Sequence, residues 1–559
     1  MISFVMSLVL LGGFYDWNVT MTGICILIEI LLFYQKKKPI YQRKKNYIMW
    51  LPMVLLVWMV IVSFWALDTS ENILGILRGI VLLLWMYLCF QMEEKEKERI
   101  FHLIPVSGAL MVCMGIFSLA EEHLKAYFWQ ARRFGGCFQY PNTCALFLAI
   151  GLVVQIEKML QKKEEAQAKS SQKGNDRHKI LTRVLNEDVV ALLLVAVLLI
   201  GLFLTGCRSV LLLFFFWGTY RAMKVRKLRK PFLIVAAGSV LVAYGYGVIQ
   251  SDHQNVARIF TVFGANSTIY GRILYGIDAL RIALKHPLGL GYMGYYFYQP
   301  VIQTGVYTTR FIHNDLLQIL VDYGFLALLL ASVYLGYQLW KGQQSLRKKE
   351  LLWFILVASL VDFHLQYMNM LMILVLCLDL GEKENIKKRK EIRENYLFIP
   401  IGIMVGIYFT IAFGANYFGK PDLSLELFPS YTEAQIGVLQ ASSEKEEAVR
   451  IADEILSHNE YVSQAYHSKA YAAVMEEDYQ NAVKCIEKSL LLRRYDVKSY
   501  QIYYNLFEEM IEKCNNSGKV QDLEMLRKKK EELPQKLASL EKETHPLAYK
   551  LRDKPQFMW

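Results

Sequence analysis

Residues 313–340 read "HNDLLQILVDYGFLALLLASVYLGYQLW". After three polar residues the run is too apolar for a helix with one face in water. At about 1.5 Å per residue, a helix of this length crosses the roughly 30 Å hydrocarbon core of a bilayer. The rest of the chain follows the same pattern. With 54% hydrophobic and 20% charged residues over 559 positions it fits no ordinary soluble domain, and its mean hydropathy is positive. Further candidate spans lie near 2–14, 20–34, 47–67, 72–91, 100–119, 142–156, 189–205, 209–220, 231–249, 351–363, 366–380 and 397–416. The expected fold is all-α: a polytopic membrane protein with about 11–14 transmembrane helices, occupying residues 1–416 and followed by a more polar segment, 417–559.

The formal net charge of +12 reads as topology rather than nucleic-acid affinity, because the basic residues sit in the connections between spans. "KKKPIYQRKK" (36–45), the loop 157–188, "RAMKVRKLRK" (221–230), "KGQQSLRKK" (341–349) and "KKRKEIR" (387–393) all fall on one side if each span crosses once. That side is expected to be the cytoplasm. The opposite side then receives the loops near 15–19 and 67–71, the segment 120–141, the long loop 250–312 and everything after Phe418. The first apolar run lacks a basic start and a small-residue cleavage site, so it is expected to be the first span. The nine cysteines are scattered, with no spacing suited to zinc, and no metal or cofactor is expected.

The polar tail repeats itself. "AVRIADEIL" from Ala448 and "AVKCIEKSL" from Ala482 are offset by 34 residues, as are Tyr466 and Tyr500. This is the tetratricopeptide period, so 433–515 is expected to form about two helical repeats, a scaffold or a surface for a protein or glycan partner. In the following helix, 519–543, Pro534 is expected to cause a kink or a break.

The unusual polar residues fall on the predicted outer side. "RRFGGCFQYPN" (132–142) suits a tight turn carrying Arg133 and Asn142 to the membrane surface. "TGCRSV" (205–210) is a short hairpin in which Arg208 has little room to reach bulk water, a position that favours an anionic partner. The helix "YGRILYGIDALRIALKHP" (270–287) sets Ile273, Ile277, Leu280 and Leu284 on one stripe, to lie flat on the membrane. Asp278, Arg281 and Lys285 form a second stripe, expected to be solvated, and Arg272 stands beside Gly276, Ala279 and Ala283. "HPLGLGYMGYYFY" follows as a glycine-rich turn, and Arg310, His313, Asn314 and Asp315 then stand at the mouth of the span.

The order Arg-x-Gly-Gly…Pro-Asn, Thr-x-x-Arg-Ser, Gly-Arg before an amphipathic helix, Pro-Leu-Gly-x-Gly, and His-Asn opening a span with Asp-Tyr-Gly further in resembles the O-antigen ligase and O-antigen polymerase family over residues 1–416. The resemblance implies a GT-C-like glycosyltransferase of the bacterial cytoplasmic membrane. Such an enzyme moves a glycan from a polyprenyl (undecaprenyl) pyrophosphate carrier to an acceptor hydroxyl, without nucleotide sugar or metal. The family's histidine falls on His313 and its two arginines on Arg208 and Arg272. Arg133 is a further candidate pyrophosphate contact, and Asn314, Asp315, Arg310 and Asn142 are candidate supporting residues. Cys207 stands where many members have serine.

These residue types suit the chemistry on their own terms. A sugar C1 bound to pyrophosphate already has a good leaving group, so the protein must hold phosphates and stabilise developing charge, which arginine does with forked, permanently charged donors. An acceptor hydroxyl needs a base, and imidazole is suited to that near neutral pH. The implied partners are the lipid-linked donor, a glycan, lipid or protein acceptor, and membrane lipids, with no nucleic acid. A polymerase joining lipid-linked repeat units remains an alternative. A flippase for the same glycan would place charges near the bilayer midplane and often shows repeated halves, neither of which is visible here.

Overall fold

The computed structural model describes residues 1–35, 40–44, 46–170, 177–225, 229, 268–385, 398–517 and 520–559. The expected span 231–249, the start of the outer loop, the whole of the basic run 387–393 and parts of the other basic connections lie outside the described residues. Among the described residues helix dominates, and two short two-stranded pairings accompany it, Tyr41–Arg43 with Lys383–Asn385 and Trp129–Gln130 with Arg133–Phe134. Among the described residues six helices are long and apolar enough to cross a membrane: Asp16–Gln35, Thr69–Gln91, Glu94–Ala120, Pro141–Lys162, Asp315–Trp340 and Phe398–Tyr417. Shorter apolar helices include Val189–Leu204 and Met368–Cys377.

The chain folds into two compact units. The first comprises residues 1–49, 81–261 and 334–404. Its centre is the start of the Pro141–Ser170 helix, whose side chains from Cys144 to Leu152 are buried on every face. Gly108 and Gly201 let the neighbouring helices approach: a methyl on Gly108 would crowd Leu198 and Leu148, and one on Gly201 would run into Val112. Two short helices, Ile2–Val9 and Met368–Cys377, pack against each other. At about 12 and 15 Å neither crosses a bilayer alone. Asn369 joins them by donating to Phe4 O (3.1 Å) and Ser7 Oγ (2.7 Å). Several residues of the basic connections are partly buried and paired. Arg221 meets Glu157 (2.5 Å) and Glu350 (3.4 Å), Lys348 meets Glu94 (2.7 Å), and Arg347 meets Glu98.

The second unit comprises residues 50–80, 262–333 and 405–559. The polar tail contributes helices Thr432–Ala441, Lys445–His458, Ser463–Met475, Tyr479–Leu491, Val497–Ser517 and Val520–Glu543. The starts of the second and fourth of these are 34 residues apart, as are those of the third and fifth, so the sequence period reappears as a helix period. Pro534 does not break the last helix. Leu526, Leu533, Leu537 and Leu540 are buried along one stripe against Tyr503, Phe507 and Met510, and that packing outweighs the loss of one amide donor.

The stretch 313–340 is not a single regular helix. At Gly324 the backbone turns to φ 79° and ψ −179°, a conformation almost restricted to glycine. Three carbonyls leave the helical ladder there, and each is taken up from outside. Leu290 N donates to Val321 O (3.0 Å), Gly291 N to Asp322 O (2.7 Å), and Trp58 Nε1 to Tyr323 O (2.7 Å). In return Phe325 N donates to Pro287 O (3.0 Å). The Pro-Leu-Gly-x-Gly segment and Asp-Tyr-Gly are therefore two halves of one structure. A Cβ on Gly289 would lie 2.6 Å from Asp322 O, and one on Gly324 would lie 2.5 Å from Pro287 O. Gly324→Ala is accordingly expected to cost more than about 2 kcal/mol, seen as a lowered Tm of the detergent-solubilised protein. Gly437→Ala, where the nearest atom to the added carbon is Pro421 Cβ at 3.5 Å, should be nearly neutral in the same measurement.

Candidate functional site

The sequence-derived candidates gather in two groups, one inside each unit. In the first unit Arg133 lies over the turn that precedes Arg208. Its Nε donates to Thr205 O (2.8 Å) and its Nη2 to Asn142 Oδ1 (2.8 Å). Gly206 bends the turn with φ 60°, and the helix Arg208–Lys224 begins immediately after Cys207, so Arg208 sits at a helix N-terminus. Asn142 passes the connection on by donating to Asp362 Oδ2 (2.6 Å), while Tyr140 OH donates to Asp362 Oδ1 (2.9 Å) and Phe363 N to the same oxygen (3.0 Å). Thr143 and His364 Nδ1 lie 3.1 Å apart alongside. Asp362 is wholly buried and was not singled out from the sequence, because nothing in its neighbourhood "SLVDFHLQY" resembles a motif until Asn142 is brought to it.

In the second unit His313 stands in a tight turn with φ 59°, a left-handed conformation rare outside glycine. The turn is held by a relay of polar groups. Ile312 N donates to Gln318 Oε1 (3.0 Å), and Gln318 Nε2 donates to both carboxyl oxygens of the buried Asp322 (3.0 Å each). Asn314 caps the helix that follows, its Oδ1 accepting from Leu317 N (3.0 Å), and Asp315 is buried at the first helical position. Arg310 pairs with Glu433 of the tail at 2.6 Å.

The helix Thr268–Lys285 carries Arg272 and, one turn further along, Tyr275. The Tyr275 ring lies 5.9 Å from the His313 ring and 4.5 Å from that of Tyr307. Burial pushes the Tyr275 phenol up, against the opposing pull of the Arg272 guanidinium. Tyr275 is a further residue that sequence reasoning passed over; its place four residues after Gly271 gave no signal beyond helical periodicity.

The same helix departs from expectation on its charged side. Asp278 is wholly buried rather than solvated. It accepts from Tyr307 OH (2.7 Å), Thr304 N (3.0 Å) and Thr304 Oγ1 (3.0 Å), and Arg281 reaches in at 3.1 Å. Burial, then Tyr295 and Asp278, hold the Tyr307 phenol well above its ordinary value, which keeps it a donor. The apolar stripe is the outward one: Leu280 is 47% and Leu284 75% exposed. No group of three or more metal-ligating side chains occurs among the described residues.

Residues 193–332 match the family model described as O-antigen ligase. No curated protein and no solved structure matches the chain. The matched segment holds Arg208, Arg272 and His313 together with both halves of the Gly324 junction, and it supports an O-antigen-ligase-like, cell-surface glycan function for this multi-pass membrane protein.

The first group yields a stability test. Removing the Asp362 carboxyl removes the acceptor of three hydrogen bonds, from Tyr140 OH, Asn142 Nδ2 and Phe363 N. Asp362→Ala is therefore expected to destabilise by about 3 kcal/mol or more, read from detergent-phase denaturation, and Asp362→Asn by clearly less.

Proposed function

We propose that this chain transfers a glycan from a polyprenyl pyrophosphate carrier, undecaprenyl pyrophosphate in a bacterial membrane, to an acceptor hydroxyl at the outer face of the cytoplasmic membrane. The observation that carries this reading is the approach of the Tyr275 ring, one turn after Arg272 on its helix, to the His313 ring (5.9 Å) at the mouth of a broken apolar helix, inside the segment that matches the O-antigen ligase model. In the reaction the acceptor oxygen bonds to the sugar C1 and its proton passes to the His313 imidazole. The C1–O bond to pyrophosphate breaks, and the negative charge goes to the departing carrier. Arg208 and Arg272 hold that charge. Arg133 is a further phosphate contact and also steadies the turn that presents Arg208. No metal or cofactor is part of this scheme.

The proposed outer placement of residues 417–559 has its own support. Thr432 Oγ1 and Asn459 Nδ2 donate to Asp68 in the short loop between two apolar helices (2.6 and 2.8 Å), and His545 N donates to Thr304 O (2.9 Å). The tail therefore shares a side with the loop 67–71 and with the histidine turn, and the basic connections point to the other side as cytoplasmic. The helix Thr268–Lys285, apolar stripe outward, then lies along the lipid surface. The helical tail, with its 34-residue tetratricopeptide-like period, belongs to this outer assembly.

His313→Ala is expected to abolish glycan transfer in membranes while the protein still inserts. Near wild-type transfer by His313→Ala would overturn the assignment. Arg208→Lys and Arg272→Lys should each lose most activity, because lysine keeps the charge but not the fork, whereas Arg450→Lys, in an exposed pair with Glu454, should be neutral. A reporter active only in the cytoplasm, fused after Trp559, should be silent. Gene deletion separates the acceptors: full-length unattached polymer marks a ligase, and short lipid-linked units mark a polymerase.

A further inference from the structure

Arg310 lies three residues before His313, and its partner at 2.6 Å is Glu433, in the first turn of the tail helix Thr432–Ala441. The pair is about one-third exposed on each side, so it is shielded enough to hold a fixed geometry. A second connection reaches the same turn from behind. Asp68 is wholly buried and accepts from four donors, Ser70 Oγ (2.7 Å), Glu71 N (3.1 Å), Thr432 Oγ1 (2.6 Å) and Asn459 Nδ2 (2.8 Å), the last two from the tail. Leu67, next to it, donates its amide to Leu290 O (2.8 Å), and Asn72 Oδ1 accepts from Tyr292 N (3.0 Å). Those two contacts fix the glycine turn that completes the helix following His313. A third set lies at the C-terminal end. His545 N donates to Thr304 O, Arg494 Nη1 donates to Val301 O (3.0 Å), and Ala548 and Leu551 are buried with Leu274 and Tyr307.

We propose that the helical tail is a built-in clamp on the histidine turn, with Glu433 as the positioning residue that acts through Arg310, rather than a module that serves only to dock an outside partner. The proposal rests on the reading of His313 as the base. It follows from chain geometry: residues 303–314 contain no helix of their own, so their conformation is set by what they touch. A left-handed histidine is a state that the surroundings must impose. Displacing a reacting group by about 1 Å can cost about 100-fold in rate, so a loosened turn should be visible in activity before it is visible in folding.

The test uses the full-length protein in membranes of a strain lacking the chromosomal copy, with that strain's own lipid-linked glycan as donor. Glu433→Gln is expected to lower transfer about 10- to 100-fold at unchanged protein level. Exchanging the charges, Arg310→Glu with Glu433→Arg, should recover most of the loss. Amide exchange should rise over 303–314 in Glu433→Gln and stay unchanged over 463–517. Full activity of Glu433→Gln alongside an inactive His313→Ala would overturn the clamp and leave the tail as a partner-docking module. So would a loss that the exchanged pair does not restore. An active His313→Ala would instead remove the reading on which the clamp depends.

Discussion

Everything around the histidine depends on how three backbone carbonyls are satisfied at Gly324. A helix interrupted inside a membrane exposes polar groups that lipid cannot solvate, each worth several kcal/mol in hydrocarbon, so an interruption persists only where protein supplies the missing partners. Here they come from Leu290, Gly291 and Trp58. Two of these donors sit in the Pro-Leu-Gly-x-Gly turn, whose lack of side chains at Gly289 and Gly291 lets backbone meet backbone. The break leaves a short first segment, Asp315 to Tyr323, pinned at its deep end. Asp322 and Gln318 pass that rigidity on to the amide next to His313.

The first unit shows a related economy of polar groups. Asp362, Tyr140, Asn142 and Arg133 form a chain of buried or half-buried hydrogen bonds ending on the carbonyl of Thr205, the first residue of the turn that presents Arg208. Such a chain is strong only when complete, because each buried donor left unpaired costs more than its bond contributes. It joins Arg-x-Gly-Gly and Pro-Asn into one structure: the tight turn carries Arg133 and the following helix start carries its acceptor.

A buried carboxyl in the helix Thr268–Lys285 and an exposed apolar stripe on the same helix invert the usual amphipathic pattern. The inversion is stable because Tyr307 and Thr304 supply donors to Asp278 from within the protein. The exposed stripe, with Leu280 and Leu284, is the face that meets lipid in the proposed outer placement of this helix.

The sequence by itself determined the class of fold, the run of apolar helices, the period of the tail and the identity of the candidate histidine and arginines. These rest on local regularities: run length, a repeat of 34, and short motifs at fixed spacing. It also placed a polar turn at the mouth of residues 313–340. Only the tertiary structure decided that Gly324 breaks that helix, that Asp278 is buried, that Pro534 is carried through a continuous helix, and that Asp362, Tyr275 and Glu433 are neighbours of the candidate residues. The reason is the same in each case. A hydrogen bond between residues such as 142 and 362, or an ion pair between 310 and 433, leaves no periodic trace in the chain. Whether a polar side chain faces water or a partner is settled by what folding brings opposite it, not by its neighbours in sequence.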